Sequence, residues 1–308
     1  MSSKRNITKF TLEKLTKERI YIWASDYSKN TGEGKLARLF VEDVKKEKKL
    51  IIKINKKNNY SNYRYIYPFI GILYCWKHFL QGRKICYVNY LPLWNFFIFL
   101  LLPPNTILGP ITGGAKFSKY NKINFYFRKF CFPIFYKISQ QFLLIRSSEI
   151  IFSTDLLKKY LSKKILKISK LNFVINQISI QKNKKYKKNI DFLLYYRKHK
   201  NKKSFFPYDF VKKIALTKYK TFVVGDRLNI KNIKNLGFLK NENIKKLQSR
   251  SRFTLAPGEN IYSFFTIECL SNGVTILIDK KYKRQIKFFK NKFLTIDFDK
   301  LNEFSNFK

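Results

Sequence analysis

The sequence predicts an α/β chain of two domains, each built on a parallel sheet with flanking helices. Three observations carry that prediction. Residues 19–24 form a β-rich alternating run, followed by a loop holding Gly32 and Gly34 and then an apolar-faced helix at 35–48. The last third of the chain repeats strand, turn, helix, strand, turn, helix, strand. The length of 308 residues with 45% apolar content suffices for two ordinary cores.

The first domain reads as follows. In the helix at 35–48, Leu36, Leu39, Phe40 and Val44 share one face. A strand at 50–54 leads into a polar loop rich in Asn and Tyr, then a helix at 69–80 and a strand at 84–88. The apolar run 94–102 stops at Pro103-Pro104, short of the ~20 apolar residues that span a bilayer. It reads as a buried helix, with Tyr90 and Trp94 suited to an interface. A strand at 106–109 opens into Gly109-Pro110-Ile111-Thr112-Gly113-Gly114. Pro fixes one turn there, and the glycines let backbone approach a ligand. Residues 121–146 form a long aromatic and basic helix, with Phe125, Phe127, Phe130, Phe132 and Phe135 expected in the core. A strand at 149–153, a helix at 155–161 and a last strand at 172–175 complete the domain. The Lys- and Asn-rich stretch 178–188 is the expected linker, dividing 1–178 from 179–308.

The second domain opens with a strand at 191–196 that ends in Arg197-Lys198-His199-Lys200-Asn201-Lys202-Lys203. A basic cluster after a strand lies at the carboxyl end of a sheet, where α/β ligands bind. A helix at 206–214 follows Pro207. The strand at 222–225 ends at Gly225-Asp226-Arg227, followed by Leu236-Gly237-Phe238 and a helix near 242–250. The strand 253–256 then opens into Pro257-Gly258-Glu259-Asn260, which feeds a helix from about Ser263 that carries Glu268 and closes at Gly273 before a strand at 274–278. A loop entering a helix N-terminus presents N–H groups and a positive dipole end, which suits a diphosphate. A carboxylate further along that helix can accept hydrogen bonds from two ribose hydroxyls.

Charge is extreme, with 64 Lys and Arg against 19 Asp and Glu and a formal charge of +45. AT-rich codon usage accounts for part of the Lys excess but not for the scarcity of carboxylates. Such a field attracts phospholipid, lipid-linked diphosphates or nucleic acid. No nucleic-acid module is legible, so a nucleic-acid partner is not expected. Cys75, Cys86, Cys131 and Cys269 show no CxxC spacing, and His78 and His199 stand apart. Neither a zinc site nor a disulfide framework follows, and reduced cytoplasmic cysteines are the simple reading. The first residues lack an apolar signal segment.

The ordered motifs of the second half resemble the C-terminal domain of retaining glycosyltransferases of the GT-B architecture, the family-4-like group. There a glycine-ended strand, a Leu-Gly-Phe strand, a Pro-loop-Glu segment and a Glu-bearing helix ending in Gly-Val follow in this order. The resemblance implies two Rossmann-like domains facing across a cleft. It implies transfer of a hexose from a nucleotide diphosphate sugar to a hydroxyl acceptor, a glycan or lipid-linked glycan, with retention at the anomeric carbon. By register Arg197 matches the family's diphosphate-binding Arg, and Lys203 or Lys202 its Lys. Glu268 matches the ribose-binding Glu, and the first carboxylate position falls on Glu259 or Asn260. Gly225, Gly258, Ser263 and Phe264 complete the donor site. Gly32, Gly34, Thr112, Gly113 and Gly114 would line the cleft, with Thr112 and backbone N–H groups the chemistry offered by a loop that lacks the His many relatives carry there. No cofactor and no metal are implied. Asp297-Phe298-Asp299 mimics a metal-binding Asp-x-Asp but lies past the second nucleotide fold. The closing helix that often crosses back to the first domain is expected to be minimal or missing. The expected setting is cytoplasmic and peripheral on an anionic membrane, with residues 121–146 and 90–102 as contact faces. The other readings are a basic nucleic-acid-binding protein and an inactive membrane-associated scaffold of the same fold.

Overall fold

A computed structural model describes residues 19–48, 51–55, 66–113, 121–147, 149–177 and 187–300. The chain divides into two compact units, Met1–Gly113 with Phe130–Phe173, and Gly114–Lys129 with Val174–Lys308. The α/β class is as expected. The linker expected at 178–188 falls almost wholly outside the described residues, as do Gly114 and the last eight residues.

In the first unit, β1 (Arg19–Trp23), β2 (Ile51–Asn55), β3 (Lys84–Tyr87) and β4 (Ile107–Leu108) form a parallel sheet in the order β2-β1-β3-β4. β5 (Ile150–Ile151) and β6 (Ser169–Lys170) form a separate two-stranded parallel pair. The sheet buries Tyr21, Trp23, Ile85 and Tyr87 against Ile72 and Cys75 of the helix Tyr67–Phe79. That helix approaches closely enough that a Cβ on Gly71 would lie 2.2 Å from the Trp23 indole nitrogen, so Gly71 sets the helix-to-strand distance. The helix Phe96–Leu101 buries Ile98 and Phe99, and the helix Lys122–Arg146, which belongs to this unit from Phe130 on, buries Tyr136, Ser139, Gln140 and Leu143.

The second unit holds one six-stranded parallel sheet: β7 (Ile190–Tyr196), β8 (Thr221–Gly225), β9 (Lys234–Gly237), β10 (Ser251–Leu255), β11 (Thr275–Asp279) and β12 (Phe293–Ile296). The order β12-β11-β10-β7-β8-β9 is that of a doubly wound dinucleotide-type fold, with its reversal between β7 and β10. Fully buried Phe192, Leu194, Val223 and Leu277 explain why these strands read as apolar runs rather than alternating ones.

Several local expectations are corrected. The first helix starts at Gly32, so Gly32 and Gly34 lie in its first turn rather than in a loop. Thr31 ends the preceding loop by accepting the Gly34 N–H on its hydroxyl at 3.0 Å. Residues 172–175 are not a strand: Asn172 takes φ +62° and the chain turns into the short helix Phe173–Asn176. The helix expected at 155–161 is the single 3₁₀ turn Lys158–Tyr160. Phe127 and Phe130 are exposed rather than core. No helix among the described residues is long and apolar enough to cross a membrane.

Candidate functional site

In the second unit the sheet reversal sets the carboxyl ends of β7 and β10 side by side, which is where doubly wound folds open a crevice for ligands. The basic turn follows β7 and the Pro-Gly-Glu-Asn loop follows β10. The neighbouring β8 contributes Gly225-Asp226. Gly225 has φ +101°, and a Cβ there would lie 2.3 Å from the Tyr196 carbonyl oxygen. Only glycine makes that crossing, and it lets the Asp226 N–H donate to the same carbonyl at 2.9 Å.

Asp226 organises the basic turn. Its Oδ2 accepts the Lys198 N–H at 2.7 Å and stands 3.3 Å from Arg197 Nε. The Nε–H is not aligned for a hydrogen bond, so the attraction is Coulombic. The guanidinium also lies 5.2 Å from the Phe238 ring centroid and donates to the Tyr195 hydroxyl at 3.4 Å. Lys202, on the short helix Lys200–Ser204, has its ammonium 5.8 Å from the Tyr195 ring centroid. Lys203 is exposed on the same helix.

The other face of this arrangement is the helix Phe264–Ser271. Ser263 is its N-cap, accepting the Thr266 N–H at 3.3 Å and meeting the Thr266 hydroxyl at 2.8 Å. The Tyr195 ring stacks on Phe265 with centroids 5.2 Å apart. Tyr195 therefore joins Arg197, Lys202 and the first turn of this helix around one ring. Sequence reasoning passed over Tyr195 because a strand aromatic reads as core; its only signal was its place just before the basic cluster. Glu268 lies in the second turn, half-buried, and Gly273 closes the helix with φ +68°.

The loop between β10 and the helix is built tightly. Asn260 turns its Oδ1 back to accept the Tyr262 N–H at 3.1 Å, an Asx turn. Tyr262 is buried, and its hydroxyl accepts the N–H groups of Lys287 and Phe288, both at 2.8 Å. A Cβ on Gly258 would fall 2.1 Å from Cζ of Tyr282. Tyr282 belongs to the 3₁₀ turn Lys280–Gln285 after β11, so the strand next door fixes the loop that carries Glu259.

The first unit has its own reversal, between β1 and β3. Buried Asn89 bridges the loops after these strands. Its Oδ1 accepts the Ser25 N–H at 2.9 Å, and its amide donates to the Asp26 carbonyl at 2.5 Å. Asp26 in turn accepts the Ser28 N–H at 2.9 Å and the Thr31 hydroxyl at 2.6 Å. Gly34 is needed because a Cβ would lie 2.3 Å from the Ser28 carbonyl oxygen. The Gly-Pro segment after β4 is also engaged. A Cβ on Gly109 would lie 2.0 Å from the Val88 carbonyl oxygen, and Gly113 packs on Leu157. The Thr112 N–H donates to the Leu91 carbonyl at 2.9 Å, so the backbone N–H expected to serve a ligand is spent inside the unit.

Burial pushes the thiols of Cys75 and Cys269 far above their ordinary range, which keeps them protonated. No cluster of metal-ligating side chains occurs among the described residues. Asp297 accepts the Asp299 N–H at 3.1 Å, and the intervening Phe298 is buried, stacked on Phe210 at 4.2 Å. The Asp-Phe-Asp run is a turn with an anchor.

No family model matches the chain, and no curated protein matches its sequence. Among solved structures it is similar to Anabaena HepE in complex with UDP and glucose, with a TM-score of 0.54, 11% identity, and coverage of 94% of this chain and 89% of that one. It is also similar to WaaG, a glycosyltransferase involved in lipopolysaccharide biosynthesis, with a TM-score of 0.52, 11% identity, and coverage of 92% and 88%. The likeness runs through nearly the whole of each chain and establishes a shared fold, the one the sequence motifs predict.

Proposed function

We propose that the chain is a glycosyltransferase that moves a hexose from a nucleotide diphosphate sugar to a hydroxyl acceptor, a glycan or lipid-linked glycan. The observation that carries this reading is the cluster of side chains at the carboxyl ends of β7 and β10. It gathers Arg197, Lys202 and the capped start of the Phe264–Ser271 helix around Tyr195. A departing nucleotide diphosphate gains negative charge, and preorganised cations and helix N–H groups lower the barrier by meeting that charge. Arg197 takes this role together with Lys202 or Lys203. Because the Asn260 oxygen shapes the loop, Glu259 is assigned the first carboxylate position, toward the sugar hydroxyls. Glu268 accepts the ribose hydroxyls. Retention and independence of metal belong to the same reading, as does a cytoplasmic setting at a membrane that supplies the acceptor. A structure of this fold holding UDP and glucose supports the nucleotide sugar donor.

The test is a panel of UDP- and GDP-sugars, scored by thermal shift and by nucleotide diphosphate release with a crude lipid acceptor, with and without EDTA. Stabilisation by one nucleotide sugar and release that survives EDTA are expected. With that donor, Glu268→Gln is expected to weaken nucleotide binding by roughly 1–3 kcal/mol, the cost of losing charged hydrogen bonds, while the free protein stays folded. Equal affinity of wild type and variant in calorimetry would remove the ribose role.

A further inference from the structure

Large apolar side chains on the surface are distributed unequally. Among the described residues of 187–300, only Leu216 and Phe238 are exposed large hydrophobics. In the first unit Leu73, Leu80, Phe97, Leu101, Phe130 and Ile134 are 42% to 79% exposed. They come from three segments that pack together. The Trp76 indole, on the Tyr67–Phe79 helix, donates to the Leu101 carbonyl at 2.7 Å. Phe96 meets Phe135 at 5.7 Å, and Trp94 stacks on Phe132 at 5.6 Å. On the helix Lys122–Arg146, Phe130 and Ile134 are one turn apart and share a face, while Tyr136, Ser139, Gln140 and Leu143 are buried on the other side. An apolar face of this extent marks an interaction surface rather than scattered exposure.

Its charge selects the partner. The sequence has no Asp or Glu anywhere between Glu47 and Glu149, and the parts of these three segments that lie in the first unit carry cations alone, Lys77, Lys137 and Arg146. Even codon bias spreads lysines without clearing carboxylates from one stretch. A second copy of the chain would bring this cationic rim against itself, and like charges disfavour that pairing. Nucleic acid answers the cations but not the leucines and phenylalanines. An anionic bilayer answers both: acyl chains take the apolar side chains, headgroups take the lysines, and Trp94 suits the boundary. We propose that this face of the first unit docks on an anionic lipid bilayer by shallow insertion of Leu73, Phe97, Leu101, Phe130 and Ile134.

The test is sedimentation of the full chain with vesicles of phosphatidylcholine alone or mixed with phosphatidylglycerol, independent of any transferase assay. Wild type is expected to bind the mixed vesicles strongly and the neutral ones weakly. High salt is expected to reduce that binding without abolishing it, since screening weakens the charge contribution but not apolar insertion. The combined variant Leu73→Ser, Phe97→Ser, Phe130→Ser is expected to lower partitioning by roughly tenfold or more at unchanged melting temperature and nucleotide binding. Lys77→Gln with Lys137→Gln is expected to narrow the preference for acidic lipid while keeping neutral-vesicle binding. Wild type left in the supernatant with both vesicles overturns the proposal, as does a serine variant that binds like wild type. Binding wholly removed by salt overturns insertion. A dimer in light scattering that the serine variant turns to monomer, without vesicle binding, gives the face to a second copy instead.

Discussion

Replacing Arg197 with Ala is expected to lower turnover by roughly 100- to 1,000-fold while changing nucleoside affinity little, because the guanidinium meets charge that grows in the transition state. The prediction rests on how the residue is held. Asp226 stands 3.3 Å from its Nε, Phe238 lies under its guanidinium, and the Tyr195 hydroxyl accepts from it. Three contacts fix a side chain that is otherwise long and mobile, and fixing it in advance is what makes its charge effective. Asp226→Asn keeps the shape and removes the charge that attracts Arg197, so a smaller loss of turnover is expected. Arg197→Lys keeps a charge without the planar fork and the stack, so it is expected to rescue little. The measurement is single-turnover nucleotide diphosphate release alongside calorimetry with nucleoside. A variant that loses affinity and turnover in equal proportion would make Arg197 a ground-state binding group instead.

Gly258→Val is expected to destabilise the second unit by roughly 1–3 kcal/mol and to weaken donor binding, since overpacking this contact displaces the Tyr282 ring or the loop. The cause is geometric: even a Cβ would lie 2.1 Å from Cζ of Tyr282. Either Tyr282 leaves its place after β11 or the loop carrying Glu259 moves. Tyr282→Ala opens the space, so the double variant is expected to recover much of the stability that Gly258→Val loses. Chemical denaturation of the four proteins in a double-mutant cycle checks this. Additive losses would mean that the two residues do not contend for the same space.

The sheet of the second unit was legible because its strands are buried on both faces and its punctuation is local. Gly225, Gly237 and Gly273 each end an element with a positive φ, as the spacing implies. Ser263 caps the helix it precedes, and Pro207 stands one residue before the helix Tyr208–Ala215. What escaped is set by partners remote in sequence. Asn89 carries no local signal, and its role shows only with Ser25 and Asp26 against it. Gly109 and Gly113 are read as room for a ligand until Val88 and Leu157 occupy that room. The aromatic helix shows the same gap. Periodicity tells which residues share a face but not how far that face is buried, so Phe130, expected in the core, is exposed. The candidate site was legible as a list of positions. Its common centre, Tyr195, was not, because no local pattern distinguishes a strand aromatic that packs inward from one that joins two loops.

The ring of Tyr195 also bears on how such a protein changes over generations. Lys202 and Phe265 meet the ring, and Arg197 donates to its hydroxyl. A substitution at any one of the four alters the ground on which the other three are judged. Single steps at this cluster are therefore expected to be non-additive, and under the proposed function a change of donor is expected to need joint replacement of ring and cations. Descendants with altered sugar preference are expected to carry these positions as a block, and libraries that randomise them one at a time will miss those sequences.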